Sequence, residues 1–371
     1  MINVFEPNIG FTDILNVLQN LAKKNISGSS PVIQDFENKL SDLFSRNYAV
    51  SVTNGSVALD LSFQLLNLND GDEVIVPSHT IISCLSAIVR SKAVPIFCDI
   101  DKKSWNMTAE HVEKLISDKT KAVLLVHTFG LPSEAKKIKQ LCKDYNLKLI
   151  EDSAEAHGQY ESGIKCGNFG DISTFSFYAN KHITTGEGGA LLTDSEEIYL
   201  KALQMRNLDF NSTERFKTEN LYWNYRLSGL QASLGLSQIK KMKKTIDLKI
   251  KQGNYYTELL KDYDELFQLP LKENNGSLNH YWVYGVVLKK ENIRDNLMED
   301  LFKAGIETRP FFWPLHLQPS LPKIFSKLNN ELPNSEYIGK NGLYIPLGSH
   351  VSKKMQKKIV QQLITKAESI V

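Results

Sequence analysis

Between Tyr48 and Thr193 one pattern repeats: a short apolar run of strand type, then a segment with apolar positions at helical spacing, then another run. The strand-type runs are 48–53, 73–78, 93–100, 121–128, 148–152, 173–178 and 189–193. Lys121–Thr128 is nearly continuous in apolar residues, as a strand covered on both faces must be. Strands and helices that alternate at this spacing are joined by right-handed crossovers. The expected fold is therefore α/β, with a mostly parallel sheet and helices on both faces. Ligands of such sheets collect at the carboxyl ends of the strands.

The 371 residues exceed one small core. Residues 8–46 read as two helical segments separated by Ser27–Pro31, an N-terminal arm on the large domain, with Ile33, Phe36, Leu40 and Phe44 at helical spacing. A long helix is predicted from about Tyr225 to Asp262, its Lys240, Lys241, Lys243 and Lys244 forming a solvated face. The division expected is an arm plus large domain over 1–265 and a small C-terminal α+β domain over 266–371. The segment 207–220 is polar and reads as an irregular, mobile loop.

A formal net charge of +2 gives no global attraction for nucleic acid or membrane, so an anionic substrate must be met by local groups. No apolar run reaches the ~18 residues of a membrane span, and the N-terminal residues have no signal-peptide pattern. Cys84, Cys98, Cys142 and Cys166 lie far apart, which argues against zinc and disulfides and for a reducing cytoplasm. No metal is expected: the eight histidines contain no H-E-x-x-H cluster. A nicotinamide site lacks its glycine fingerprint after the first strand.

Two charged residues stand at the predicted carboxyl edge. Ser173–Gly189 begins as strand, closes on Asn180-Lys181 and continues into Thr and Gly residues that let backbone approach a ligand. Asp152 ends the strand beginning at Lys148. Each also fits a plainer role, Lys181 as a solvated lysine and Asp152 as a helix cap. Together they form the pair that pyridoxal 5'-phosphate (PLP) chemistry requires, an amine for a Schiff base and a carboxylate for a protonated pyridine nitrogen. Gly55 and Ser56 open a helix and offer amides and a hydroxyl to an anion, or serve ordinary capping.

Asn54–Ser56, Gly71–Ser78, Glu151–Glu155, Ser176–Lys181, Thr185–Gly189 and Asn224–Arg226 occur in the order of the DegT/DnrJ-type sugar-nucleotide aminotransferases, which the chain resembles from about residue 5 to its end. The resemblance implies the aspartate-aminotransferase type (fold type I) of PLP fold and a homodimer with shared active sites. It makes Lys181 the PLP-bearing lysine, Asp152 the partner of the pyridine nitrogen and Glu155 the neighbour of the ring hydroxyl. Gly55, Ser56 and Ser176 match the phosphate cradle, and Asn224 an asparagine that reaches the phosphate from the neighbouring subunit. Related dehydratases carry histidine where this chain has Lys181, so amino transfer is expected over dehydration.

Two positions depart from the family pattern. Ile81 replaces an aromatic that stacks on the cofactor, at a cost of ~1 kcal/mol, with His79 the candidate to compensate. Tyr222 and Trp223 precede Asn224 where a glycine is usual. Ser104–Met107, Phe169–Phe177 and Arg309–His316 most resemble the members that aminate the 4-keto carbon of GDP-4-keto-6-deoxymannose with glutamate as donor, in deoxyamino-sugar biosynthesis of the O-antigen kind. Arg309, His316, His79 and Glu187 are the candidate substrate residues. Competing expectations are amination of a UDP- or dTDP-linked keto sugar at the 3- or 4-position, and a non-catalytic PLP-binding regulator. No helix-turn-helix extension supports the latter.

Overall fold

The protein is described by a computed structural model over residues 1–210, 216–321, 325 and 331–370. Helices α1 (Phe11–Ala22) and α2 (Pro31–Phe44) precede strand β1 (Tyr48–Val52). There follow α3 (Gly55–Leu65), β2 (Glu73–Pro77), α4 (Ile82–Arg90), β3 (Val94–Cys98), α5 (Ala109–Glu113), β4 (Thr120–Val126), α6 (Ala135–Asp144) and β5 (Lys148–Asp152). A small hairpin of β6 (Tyr160–Glu161) and β7 (Ile164–Lys165) leads to β8 (Ile172–Ser176), β9 (Gly189–Thr193) and α7 (Glu196–Arg206). Part of the segment expected to be an irregular loop, 211–215, lies outside the described residues.

The seven-stranded sheet has the order β1-β9-β8-β5-β4-β2-β3. All neighbours from β8 to β3 pair in parallel, while β9 runs against both β8 and β1. With β9 alone reversed, β1 points the same way as β8, and the carboxyl ends of β1, β2, β4, β5 and β8 share one edge. Strand alternation explains the burial on both faces. Val74, Val76, Ala122, Leu124 and Ile150 pack with Leu59 and Phe63 of α3 and Leu85 and Ile88 of α4. Their neighbours Ile75, Val123, Leu125 and Leu149 meet Ile138 and Cys142 of α6. Asp152, two residues beyond Ile150, thus belongs to the α3–α4 face, and Glu151 to the α6 face.

Helix α8 (Gly229–Leu260) starts with a capping box between Ser228 and Gln231, and both α1 and α2 lie along it. Beyond it come β10 (Phe267–Gln268), the hairpin β11 (Glu273–Asn274) and β12 (Ser277–Leu278), β13 (Tyr284–Leu288), α9 (Arg294–Lys303), β14 (Arg309–Pro310), α10 (Pro333–Asn341), β15 (Gly342–Ile345) and α11 (Lys353–Ile370). The sheet β10-β13-β15-β14 is antiparallel. Its core draws on Val286, Leu297, Leu343 and Leu363, and also on Tyr256 and Leu260 of α8 and on Ile2. Ile2 forms a parallel bridge to Ile306, so the chain's first residues join this second core. Among the described residues no helix is long and apolar enough to cross a membrane.

Candidate active site

A cleft of about 550 Å³ opens at the shared carboxyl edge. Its floor comes from the sheet: Gly55 and Ser56 after β1, Thr80 and Ile81 after β2, Val126 on β4, Asp152 and Glu155 at and after β5, Thr174 and Ser176 on β8. Trp282, Phe312 and Tyr344 close it from the C-terminal region. Sequence reasoning did not single these out. Their only local signal was an aromatic run, which reads equally well as core.

Lysine 181 arrives differently from the expectation of a strand end. Strand β8 stops at Ser176, and a turn, with the Lys181 amide donating to Tyr178 O at 3.0 Å, carries the lysine into the cleft. Its side chain is 8% exposed, with Nζ 3.4 Å from Glu155 Oε1. The same Nζ sits 3.7 Å from the centroid of the Trp282 ring, a cation–π contact. Burial lowers the Lys181 ammonium below the ordinary lysine range, opposed by the charges of Glu155 and Asp152. Burial also raises Glu155 to about 7, although Lys181 and the Phe129 amide, which donates to Oε2 at 2.7 Å, pull the other way.

Asp152 Oδ1 accepts the Ala154 amide at 3.0 Å, and Oδ2 meets the Cys84 thiol, a weak donor, at 3.7 Å. Burial pushes the carboxyl up, with the Ala154 amide and the Lys181 charge opposing. Burial likewise raises the Cys84 thiol, so it stays protonated and donates. This carboxylate therefore retains acceptor capacity toward the cleft. A cationic N–H there would stabilise its ionised form.

At the other end, Asn54 caps α3 by accepting the Val57 amide at 2.9 Å. The Gly55 and Ser56 amides precede the first intrahelical bond and remain for a ligand. The hydroxyls of Ser56 and Ser83 lie 2.6 Å apart beside them. Gly55 is required here, because a Cβ would stand 2.8 Å from the Ser176 Cβ. Gly189 is required for the same junction: its Cβ would meet Asn54 O at 2.5 Å. Amides and hydroxyls at one end, an amine in the middle and a buried carboxylate at the floor fit a phosphorylated pyridine aldehyde.

The other expected residues divide. Ile81, 40% exposed at the start of α4, and Glu187 both line the cleft. His79 does not: its ring is fully buried against Phe129, Phe311 and Phe312, and burial holds it neutral, near 3. His316 lies outside the lining, its Nδ1 2.6 Å from Ser78 Oγ and its Nε2 3.4 Å from Glu336. Arg309 is exposed and paired with Glu307 at 2.6 Å, away from the lining. Asn224 is exposed, bridged to Asn207, and is not brought to this cleft.

Comparison with known proteins adds an independent finding. The profile of the DegT/DnrJ/EryC1/StrS aminotransferase family matches residues 8–364. The chain is 36% identical over 340 residues to GDP-perosamine synthase of Vibrio cholerae, covering 90% of this chain and 91% of that one. Among solved structures it superposes on the aminotransferase TlmJ of Streptoalloteichus hindustanus with a TM-score of 0.93, 27% identity and full coverage of both chains. It also superposes on the E. coli GDP-4-keto-6-deoxy-D-mannose-3-dehydratase with bound hydrated PLP at a TM-score of 0.88 and 25% identity, covering 97% of this chain and all of that one.

Proposed function

The chain belongs to the DegT/DnrJ/EryC1/StrS aminotransferase family, as a PLP-dependent sugar aminotransferase, and on that premise we propose that it moves the amino group of glutamate to C4 of GDP-4-keto-6-deoxymannose. One observation carries the reaction type: a buried Lys181 amine held among Glu155, Asp152 and an aromatic ring at the floor of an open cleft. The nucleotide and sugar rest on the 36% identity to an enzyme named for GDP-perosamine.

In this reading Lys181 would hold the cofactor through Nζ, Asp152 its ring nitrogen, and Gly55, Ser56 and Ser176 its phosphate. When bound, PLP supplies an electron sink for the carbon that loses a proton. Asp152 would favour a proton on that ring nitrogen by supplying a negative charge. Glu155, 3.4 Å from Lys181 Nζ, would be the neighbour of the cofactor's ring hydroxyl. Lys181 Nζ takes and returns a proton, which requires the neutral amine that burial favours. Trp282, whose ring lies under that nitrogen, shields it from water, and Ile81 on the cleft lining would offer apolar surface to the cofactor. Glu187, on the rim, is the remaining candidate from the sequence for contact with the sugar.

Asn224 acts across a homodimer in the same proposal. It stands beside Trp223, 69% exposed, and Leu221, 97% exposed, and such apolar surface favours a second copy. Mixing Lys181→Ala with Asn224→Ala subunits should then restore activity through hybrid dimers.

The direct test is incubation with glutamate and a panel of nucleotide-linked 4-keto sugars, with products read by mass spectrometry. GDP-perosamine is the expected product. Amination of UDP- or dTDP-linked sugars alone would replace the substrate assignment, and amination of none would defeat the proposal.

A further inference from the structure

Next to the cleft, and sharing Asn180, Lys181 and Trp282 with it, lies a smaller cavity of about 30 Å³, lined also by Lys249 and by Val4 and Phe5 of the N-terminal segment. Lys249, on α8, is a buried lysine that the proposed chemistry does not use. Its Nζ donates to the Trp282 carbonyl oxygen at 2.9 Å. Trp282 therefore touches both lysines, Lys181 through its ring face and Lys249 through its backbone. Among the described residues no carboxylate pairs with Lys249, whereas Lys181 has Glu155 at 3.4 Å.

Among the described residues the cavity lining supplies no other cation, and its one carboxylate, Glu6, is exposed and accepts from Asn3 at 2.9 Å. His157 and His182, in the loops after β5 and β8, and His280, before β13, are each kept neutral first of all by burial. Asp247 of α8 is occupied with Lys243 at 2.9 Å. Asp152 and Glu155 lie on the Lys181 side. An isolated buried ammonium is costly, and burial together with the charge of Lys181 brings Lys249 down to about 7. Such coupling is mutual, because a proton on either amine disfavours a proton on the other.

We infer that Lys249 is a positioning residue for Lys181: a second buried amine, anchored behind Trp282, that competes with it for a proton and favours its neutral form. The inference rests on the assignment of Lys181 as the PLP-bearing lysine. A residue that merely braced the Trp282 carbonyl would need a donor there but no charge.

The experiment separates the two. In the PLP-loaded enzyme, the pH at which the bound cofactor's visible absorption changes between its protonated and unprotonated bands is measured for wild type, Lys249→Gln, Lys249→Met and Lys249→Arg. Borohydride reduction and peptide mapping are run on the same samples. The midpoint should rise by about one unit in the Gln and Met variants, and fall with the permanent charge of Arg. A Gln variant that titrates like wild type would overturn the inference, since Gln keeps the donor and loses the charge. If Arg does not fold, the wild type, Gln and Met comparison still decides. A borohydride label on a residue other than 181 would remove the underlying assignment, and this inference with it, whereas a label on Lys181 with unmoved midpoints would defeat the inference alone.

Discussion

Glu151 and Asp152 are consecutive, buried, and on opposite faces of β5, and the protein treats them in opposite ways. On the α6 face, Glu151 accepts the amides of Gly167 at 2.5 Å, Phe169 at 2.8 Å and Gly170 at 3.0 Å, the Ser173 hydroxyl at 3.0 Å and His127 Nε2 at 3.0 Å. The Ser133 amide donates to His127 Nδ1, which leaves Nε2 to carry the proton given to Glu151. Burial alone would raise this carboxyl, but the bonds from His127 and the glycine amides bring it down to about 2. His127, Glu151 and Cys166 lie close enough to share a cation, yet the Glu151 and His127 atoms that would bind it are already engaged with one another. Asp152, one residue on, has a single backbone amide, with the Cys84 thiol and the Thr174 hydroxyl beside it, and is pushed up instead. A buried carboxylate with filled lone pairs braces loops, and one with open lone pairs receives a cation.

The contrast can be broken in several ways. The largest effect should come from Lys181→Ala, which removes the amine the open side serves. Turnover should fall by about 10⁴-fold, with no borohydride label at residue 181. Next, Asp152→Asn should lower turnover by about 10²-fold with little loss of stability. Glu151→Gln should instead cost about 3 kcal/mol in urea unfolding, with near-normal turnover per folded molecule. An exchange of those two phenotypes would erase the distinction.

The two faces also predict opposite pH slopes for the cofactor-free protein. Glu151 titrates low, so its contribution to stability is present above its unfolded value near 4.5 and is lost as pH falls toward 2. Glu155 titrates high, near 7, so the folded state binds the extra proton and stability declines as pH rises from about 5 to 8. Glu155→Gln should flatten that decline, by at most about 1.4 kcal/mol per pH unit in unfolding midpoints. The smallest effect is expected from Ile81→Tyr, which restores an aromatic to the cleft lining. PLP binding should tighten by about fivefold, or ~1 kcal/mol, in equilibrium dialysis.

Much of the scaffold was legible because its signals are local. Apolar alternation marks strands, helical spacing marks α2 at Ile33, Phe36, Leu40 and Phe44, and Asn54 caps α3 from within its own segment. Lys181, Asp152, Gly55 and Ser56 were likewise visible as contiguous motifs next to strand ends. Face and depth were less accessible. His79 and His316 read as polar candidates, but the first is sealed among phenylalanines and the second is bound to Ser78 and Glu336.

The order of residues by itself determined the strand and helix alternation, the parallel sheet and the presence of an amine and a carboxylate at one edge, since each depends on neighbours a few positions away. Only the tertiary structure decided that Trp282 lies over Lys181, that Lys249 stands behind it, and that Asp152 rather than Glu151 keeps its acceptors open. Those outcomes arise from contacts between segments far apart in the chain, where desolvation and hydrogen-bond geometry, not periodicity, set what each group can do.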